Sequence, residues 1–297
     1  MNVPSEITME RARRLAVERW LLLAGQILGK IGVHLIVITG AFFFTLPFAW
    51  MVSTSLKQGA LVFRIPPVWI PPKLIWSNYV IPWTMENFSL FYRNTAIICT
   101  LCVLGTMCSS TLVAYAFARL RFPGRGIVFL TVLASLMLPG QVTLIPTYVL
   151  FSRLGWVDTW LPLIVPTSLG SAFHIFLLRQ YFMTISRELD DAAKIDGCSL
   201  LGIFFRIILP LSRPALGVVG IFELMYWWNN FFTPLIYLNR PERMTISIGL
   251  RMFQTRDEGH LEWTMAMTVL SVIPLIIVFF IAQRRFIQGI VLTGIKG

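Results

Sequence analysis

Apolar residues gather in six runs, near 31–53, 95–118, 127–151, 161–183, 214–238 and 264–282. A helix needs about 20 apolar residues to cross a bilayer, so each run predicts one span. One polar interruption, residues 186–212, has a pattern of its own. It opens with an acidic turn, Glu188 to Asp191, passes through Ala192-Ala193 to Asp196-Gly197, and ends in an amphipathic run closed by Pro210. This order predicts two short helices meeting at Gly197. Ser186 is placed to cap the first, whose dipole favours acidic residues in its opening turn. Asp190 and Lys194 are spaced as an i,i+4 pair. The two alanines leave a low-profile patch that a partner surface can approach. Gly197 permits the left-handed backbone that ends a helix. Ser199 is placed to cap the second helix, and Leu201, Phe204, Phe205 and Ile208 fall on one apolar face. The fold class predicted is all-α, a six-span membrane bundle.

Proline recurs inside the runs: Pro139 and Pro146 in the third, Pro162 and Pro166 in the fourth, Pro234 in the fifth. Each removes a backbone hydrogen bond, and in lipid the freed carbonyl needs another partner. These prolines mark either ordinary kinks or broken helices beside a transport path. Arg11, Arg13, Arg14 and Arg19 precede the first run. A signal peptide has that order, but the apolar run is too long and lacks a small-x-small cleavage site. A surface helix leading into the first span is expected instead. The organisation is then an N-terminal segment 1–30, a six-span domain 31–283 and a tail 284–297.

Composition agrees with a membrane protein: 56% of residues are hydrophobic and 13% charged, against about a quarter charged in soluble domains. The net charge of +11 comes with no basic–aromatic cluster, which argues against nucleic acid. Alternating spans from an inside N-terminus puts 16 Lys and Arg inside and 9 outside. That bias predicts both termini in the cytoplasm. Arg119, Arg121 and Arg125, in one short loop, carry the cleanest signal.

Catalytic chemistry is sparse. Cys99 and Cys102 have C-x-x-C spacing, but they and Cys108 lie in one apolar run with no His or carboxylate beside them. They read as small membrane-helix residues. His34, His174 and His260 are scattered, and Gly25 to Lys30 has the wrong spacing for a phosphate loop. Glu223 is the acidic residue lying well inside a span, and an intramembrane charge is a functional candidate by default. Tyr226, Trp227, Trp228, Asn229 and Asn230 follow it. Hydrogen-bonding amides and aromatic faces suit a sugar. The same residues also suit packing, with the amides bonding across helices and the tryptophans in an interfacial belt.

The motif Asp191-Ala192-Ala193, Asp196-Gly197 and Ile207-Ile208-Leu209-Pro210 resembles the cytoplasmic loop of ABC importer permeases. Aspartate replaces the usual glutamate at 191, and Cys198 stands where alanine is usual. Further pieces, in family order, include Asn78-Tyr79, Asn94-Thr95, Ala114 to Arg119, Met137 to Gln141, Leu144-Ile145-Pro146, Phe176 to Gln180, Trp228 to Phe231 with Pro234-Leu235, and Gln283 to Gly289. The chain is similar to the carbohydrate branch, the maltose-type second permease subunit, over about residues 30–297. The resemblance implies a homologous partner permease, two ATPase subunits that bind ATP and Mg, an extracytoplasmic solute-binding protein and a carbohydrate substrate. It places Glu188, Asp191, Ala192, Ala193, Asp196 and Gly197 against an ATPase, joined by Lys296 and Gly297 of the tail. Pro139, Gly140 and Gln141 become gate candidates. Glu223, Tyr226, Asn229 and Asn230 become solute-path candidates. No cofactor, metal or catalytic residue is expected on this chain. A self-contained channel or secondary carrier is the alternative.

Overall fold

The computed structural model describes the backbone of residues 4–256 and 260–294, and the side chains of Trp20, 25–255 and 260–283. Regular structure among the described residues is entirely helical. Helix α1 (Pro4–Ser55) fuses the expected surface segment with the first span, and α2 (Gly59–Val62) and α3 (Ser77–Met85) fill the loop after it. Helix α4 (Phe88–Arg119) is the second span. The third run folds as α5 (Arg125–Ala134) and α6 (Gly140–Arg153), the fourth as α7 (Leu161–Ser168) and α8 (Ala172–Thr184). The polar loop holds α9 (Glu188–Ile195), α10 (Leu200–Ile203) and α11 (Leu209–Leu211). Then come α12 (Arg213–Asn229), α13 (Phe232–Tyr237), α14 (Ile246–Arg256) and α15 (Leu261–Gly294).

Helix α4 is the hub, packed against α7, α8 and α12. Lipid tails are as apolar as leucine, so close fit and hydrogen bonds, not hydrophobic transfer, hold spans together. Much of the buried face of α4 is accordingly small or hydroxylated, with Cys99, Cys102, Thr106, Ser110, Thr111, Ala114 and Ala118 among its buried residues. Gly105 belongs to the same face, where an added Cβ would lie 2.1 Å from Ser168 Oγ and 3.0 Å from Ser168 Cα. The break between α7 and α8 falls at Gly170, whose φ of 108° needs glycine. Ser110 Oγ accepts the freed Ser171 N–H at 3.1 Å.

At one end of α4, Ala114, Tyr115 and Ala118 form a core with Leu178, Phe182, Ala193, Ile203, Phe204 and Ile208. At the other end, Phe88 and Phe91 pack with Ile246, Phe253, Ala266 and Met267. The remaining helices are barer. Helix α1 packs along α15, and none of its most apolar window is buried. No residue of α5 is buried, and Phe151 alone is buried in α6.

Several expected boundaries move. The third run is not one straight span, because α5 and α6 meet at 97°. Pro139 sits at the bend with an extended ψ of 132°, and its missing N–H leaves no helix to continue. The fifth run, expected over 214–238, stops at Asn229, where Asn230 turns extended with ψ 116°. Instead α12 continues backwards, bent by 77°, into residues 200–211. The apolar face predicted for the second loop helix also fails. Residues Phe204–Ile208 form a π-turn, which inserts one extra residue into the helical period. Pro210 lacks the N–H to bond Arg206 and its ring crowds that carbonyl. Ile203, Phe204 and Ile208 therefore turn inward, while Leu201 and Phe205 are left exposed.

Candidate functional sites

Helix α9 is anchored to the end of α4 by charge. Arg119 Nη1 lies 3.3 Å from Asp190 Oδ2, with the two side chains only 3% and 11% exposed. Nη2 of the same guanidinium donates to the carbonyls of Phe182 (2.7 Å) and Ile185 (2.8 Å) at the end of α8. One planar, multi-donor group thus ties three helix ends. Lys194 pairs with Asp191, not with Asp190 as the i,i+4 spacing predicts; Nζ donates to Asp191 Oδ1 at 2.8 Å. Asp190 points inward to Arg119, which leaves the exposed Asp191 to the lysine. That hydrogen bond, with the lysine charge, holds the Asp191 carboxyl below its ordinary pKa.

The turn between α9 and α10 satisfies its own backbone. Cys198 N donates to Ala193 O (2.8 Å) and Gly197 N to Lys194 O (3.0 Å), the paired bonds of a Schellman cap. Gly197 has φ 77° and open space around it. Ser199 Oγ accepts Gly202 N–H at 3.1 Å, as expected, and Ser186 Oγ accepts Glu188 N–H at 3.2 Å. Tyr115 of α4 donates to Leu200 O at 2.9 Å, with its ring 5.0 Å from Phe204. The loop is thereby fixed to α4 at both ends. Among the expected contact residues, Glu188, Asp191, Ala192, Asp196 and Gly197 are exposed, while Ala193 packs into the core. Ile195, 87% exposed, stands beside them. The period-3.6 pattern carries that signal, since Ile195 is the apolar residue opposite buried Asp190 and Ala193. Lys296 and Gly297 lie outside the described residues.

Inside the bundle, Glu223 is buried and joined to three helices. Its Oε1 accepts from Trp227 Nε1 at 2.8 Å and lies 3.0 Å from Thr106 Oγ1 of α4. The Thr106 hydroxyl is also 3.1 Å from Thr167 O, and its one proton serves one acceptor at a time. Oε2 of Glu223 lies 3.4 Å from His174 Nδ1. A cavity of about 600 Å³ opens here between the α7–α8 break and α12. Glu223, His174, Thr167, Ser171 and Thr233 give it polar atoms, and Phe173, Phe222, Tyr226 and Trp227 give it aromatic walls. His174, Thr106 and Thr167 are the functional candidates that the sequence reading passes over. Their only signal is hydroxyl and imidazole chemistry inside apolar runs.

The other solute-path candidates do not line the cavity, although Asn230 Nδ2 donates to the hydroxyl of its lining residue Thr233 at 3.3 Å. Asn229 Nδ2 donates to Met225 O within its own helix, and Asn230 Oδ1 accepts Thr233 N–H to start α13. Neither side chain bonds across helices. Trp228 is buried, its Nε1 donating to Ser271 O at 2.9 Å, so it and Trp227 are interior residues and not an interfacial belt. Pro139, Gly140 and Gln141 are exposed at the α5–α6 bend, away from the cavity.

At the end of the bundle away from α9, Asp158 organises two loops. Its Oδ1 accepts Asn239 and Arg240 N–H at 3.0 and 3.1 Å, and its Oδ2 lies 2.9 Å from Arg240 Nε. Desolvation pushes its pKa up, but these two hydrogen bonds and the charges of Arg240 and Arg243 outweigh it and hold the carboxyl below its ordinary value. Asn94 Nδ2, donating to Glu242 O and Met244 O, and Trp160 Nε1, donating to Arg243 O, fasten the same segment.

Residues 109–291 match the family model of the binding-protein-dependent transport system inner membrane component. The match covers the α9 anchor and the Glu223 cavity together. The chain belongs to this family. It is 35% identical, over 84% of this chain and 83% of the relative, to a probable ABC transporter permease protein, YurM, of Bacillus subtilis. It is 32% identical, over 86% of this chain and 93% of the relative, to the arabinooligosaccharides transport system permease protein AraQ of Halalkalibacterium halodurans. Among solved structures, a chain of a bacterial ABC transporter involved in import of the acidic polysaccharide alginate superposes with a TM-score of 0.77 at 25% identity. That superposition covers 88% of this chain and 97% of the other.

Proposed function

We propose that this chain is the permease subunit through which an ABC importer passes a carbohydrate delivered by a solute-binding protein. It would work with a second permease and two ATPase subunits that carry the ATP and Mg. Relatives at this identity include a permease named for arabinooligosaccharides. The exposed apolar faces of α1, α5 and α6 leave surface for a partner permease as well as for lipid. The charge bias supports a cytoplasmic side for α9 and both termini, with residues 1–30 leading into the six-span domain 31–283 and 284–297 forming the tail.

The observation that carries this reading is the geometry of α9. One face is locked to α4 by the Arg119–Asp190 pair, with Tyr115 holding the start of α10 beyond it, and the opposite face offers Glu188, Asp191, Ala192, Asp196 and Gly197. An ATPase bound to that face would move α4 and α12 with it, because the loop runs into α12 through the π-turn. The tail residues Lys296 and Gly297 belong to the same proposed contact. The Glu223 cavity, with Tyr226, is the proposed solute path. Pro139, Gly140 and Gln141, at the bend, are the proposed gate. The test is Gly197→Trp in the assembled importer. Solute-stimulated ATP hydrolysis should be lost while membrane insertion persists, and normal stimulation in that variant would overturn the docking assignment.

A further inference from the structure

The cavity at the α7–α8 break has a definite charge character. Its polar side chains are Glu223, His174, the Trp227 indole and the hydroxyls of Thr167, Ser171, Tyr226 and Thr233, and neither Lys nor Arg is among its described lining residues. Sites that hold phosphate or carboxylate groups use guanidinium forks or ammonium groups. The other local source of positive potential is the first turn of α8, Ala172 to His174, since a helix N-terminus attracts anions. A second carboxylate there would share the site with Glu223, whose Oε2 lies 3.4 Å from Nδ1 of the His174 side chain. The Glu223 side chain is fixed there by Trp227 Nε1 and Thr106 Oγ1 on its other oxygen. Around it Phe173, Phe222 and Tyr226 remain substantially exposed, and sugar rings stack on such faces.

From this juxtaposition we infer that the cavity selects neutral polyhydroxylated solutes and rejects acidic ones, with Glu223 the residue that decides. The inference rests on the reading of this cavity as the solute path. A second carboxylate at roughly 6 Å from Glu223 meets like-charge repulsion, worth about 100-fold in affinity at an effective dielectric near 20. A neutral sugar hydroxyl meets no such repulsion and finds the carboxylate, hydroxyls and ring faces of the lining.

The experiment uses the assembled importer in nanodiscs without its solute-binding protein, titrated calorimetrically with xylotriose and with trigalacturonate. The wild type should bind xylotriose at least about 10-fold more tightly. Glu223→Gln keeps an oxygen for Trp227 and Thr106 and removes the charge. It should reduce the preference to under about threefold, mainly by strengthening the acidic trisaccharide. Phe173→Ala should weaken both. Equal or tighter binding of trigalacturonate by the wild type, or a preference unchanged in Glu223→Gln, overturns the charge selection alone. Binding of neither sugar, or binding unaffected by Phe173→Ala, also overturns the solute-path reading.

Discussion

The guanidinium of Arg119 and the carboxylate of Asp190 meet at 3.3 Å, out of contact with most solvent, at the junction of the membrane bundle and its polar loop. A buried pair of this kind is only weakly stabilising against an apolar substitute, but losing one partner leaves a buried charge uncompensated. Arg119→Ala should therefore destabilise the protein by about 3–5 kcal/mol. Asp190→Ala with Arg119→Ala should cost less than the sum of the two changes made singly. Unfolding can be followed by labelling the buried thiols of Cys99 and Cys102 on heating, with Cys108 and Cys198 replaced by serine.

Glu223 separates the loss of a charge from the loss of an acceptor. Glu223→Leu leaves the Trp227 indole N–H without its partner and frees Thr106 for the Thr167 carbonyl alone. A buried donor left unsatisfied costs about 1–3 kcal/mol. Glu223→Gln should cost less than Glu223→Leu in the same thiol-labelling melt. Equal destabilisation would mean that the hydrogen bond from Trp227 matters little.

Gly105 and Ser168 set the approach of α4 to α7. A Cβ at 105 would collide with Ser168 Oγ and crowd its Cα. Gly105→Ala should destabilise by about 1–3 kcal/mol through overpacking. Adding Ser168→Gly should recover part of the loss, because only the backbone contact remains. No recovery in the double variant would argue against this contact.

Gly197 occupies a left-handed conformation with open space around it. The cost of a side chain there is backbone strain alone, about 1–2 kcal/mol for alanine. Asn tolerates the same region better, so Gly197→Asn should melt above Gly197→Ala. The reverse order would mean that the space around the turn, not its φ angle, sets the tolerance.

Asp158 makes stability depend on acid. Its pKa is lowered in the folded chain from the ordinary 3.8, so the folded state favours the ionised form. The contribution is complete above that value and is lost as pH falls through the lower, folded one. The melting difference between wild type and Asp158→Asn should be constant at about pH 5–7 and shrink below about pH 4. A difference that grows on acidification would overturn the assignment of these bonds to the ionised carboxylate.

Local signals in the loop were legible because they act within a few residues. Gly197 takes the left-handed backbone expected of it, and the Ser186 and Ser199 hydroxyls accept backbone N–H groups at helix starts. What was hidden depends on partners far along the chain. Asp190 and Asp191 are interchangeable in local pattern, and Arg119, 71 residues earlier, decides which one turns inward. His174 reads as an isolated histidine until the fold brings it to Glu223. The π-turn at Phe204 defeats period counting, since the count assumes 3.6 residues per turn throughout. Likewise, hydropathy finds the third apolar run but has no term for the 97° turn at Pro139.

The packing of α1 along α15 bears on biogenesis. In the order of this sequence, α1 leaves the ribosome well before α15. Until α15 is synthesised, α1 is without the helix it packs along. A chain halted anywhere before residue 261 would leave the face of α1 that packs along α15 without its partner helix.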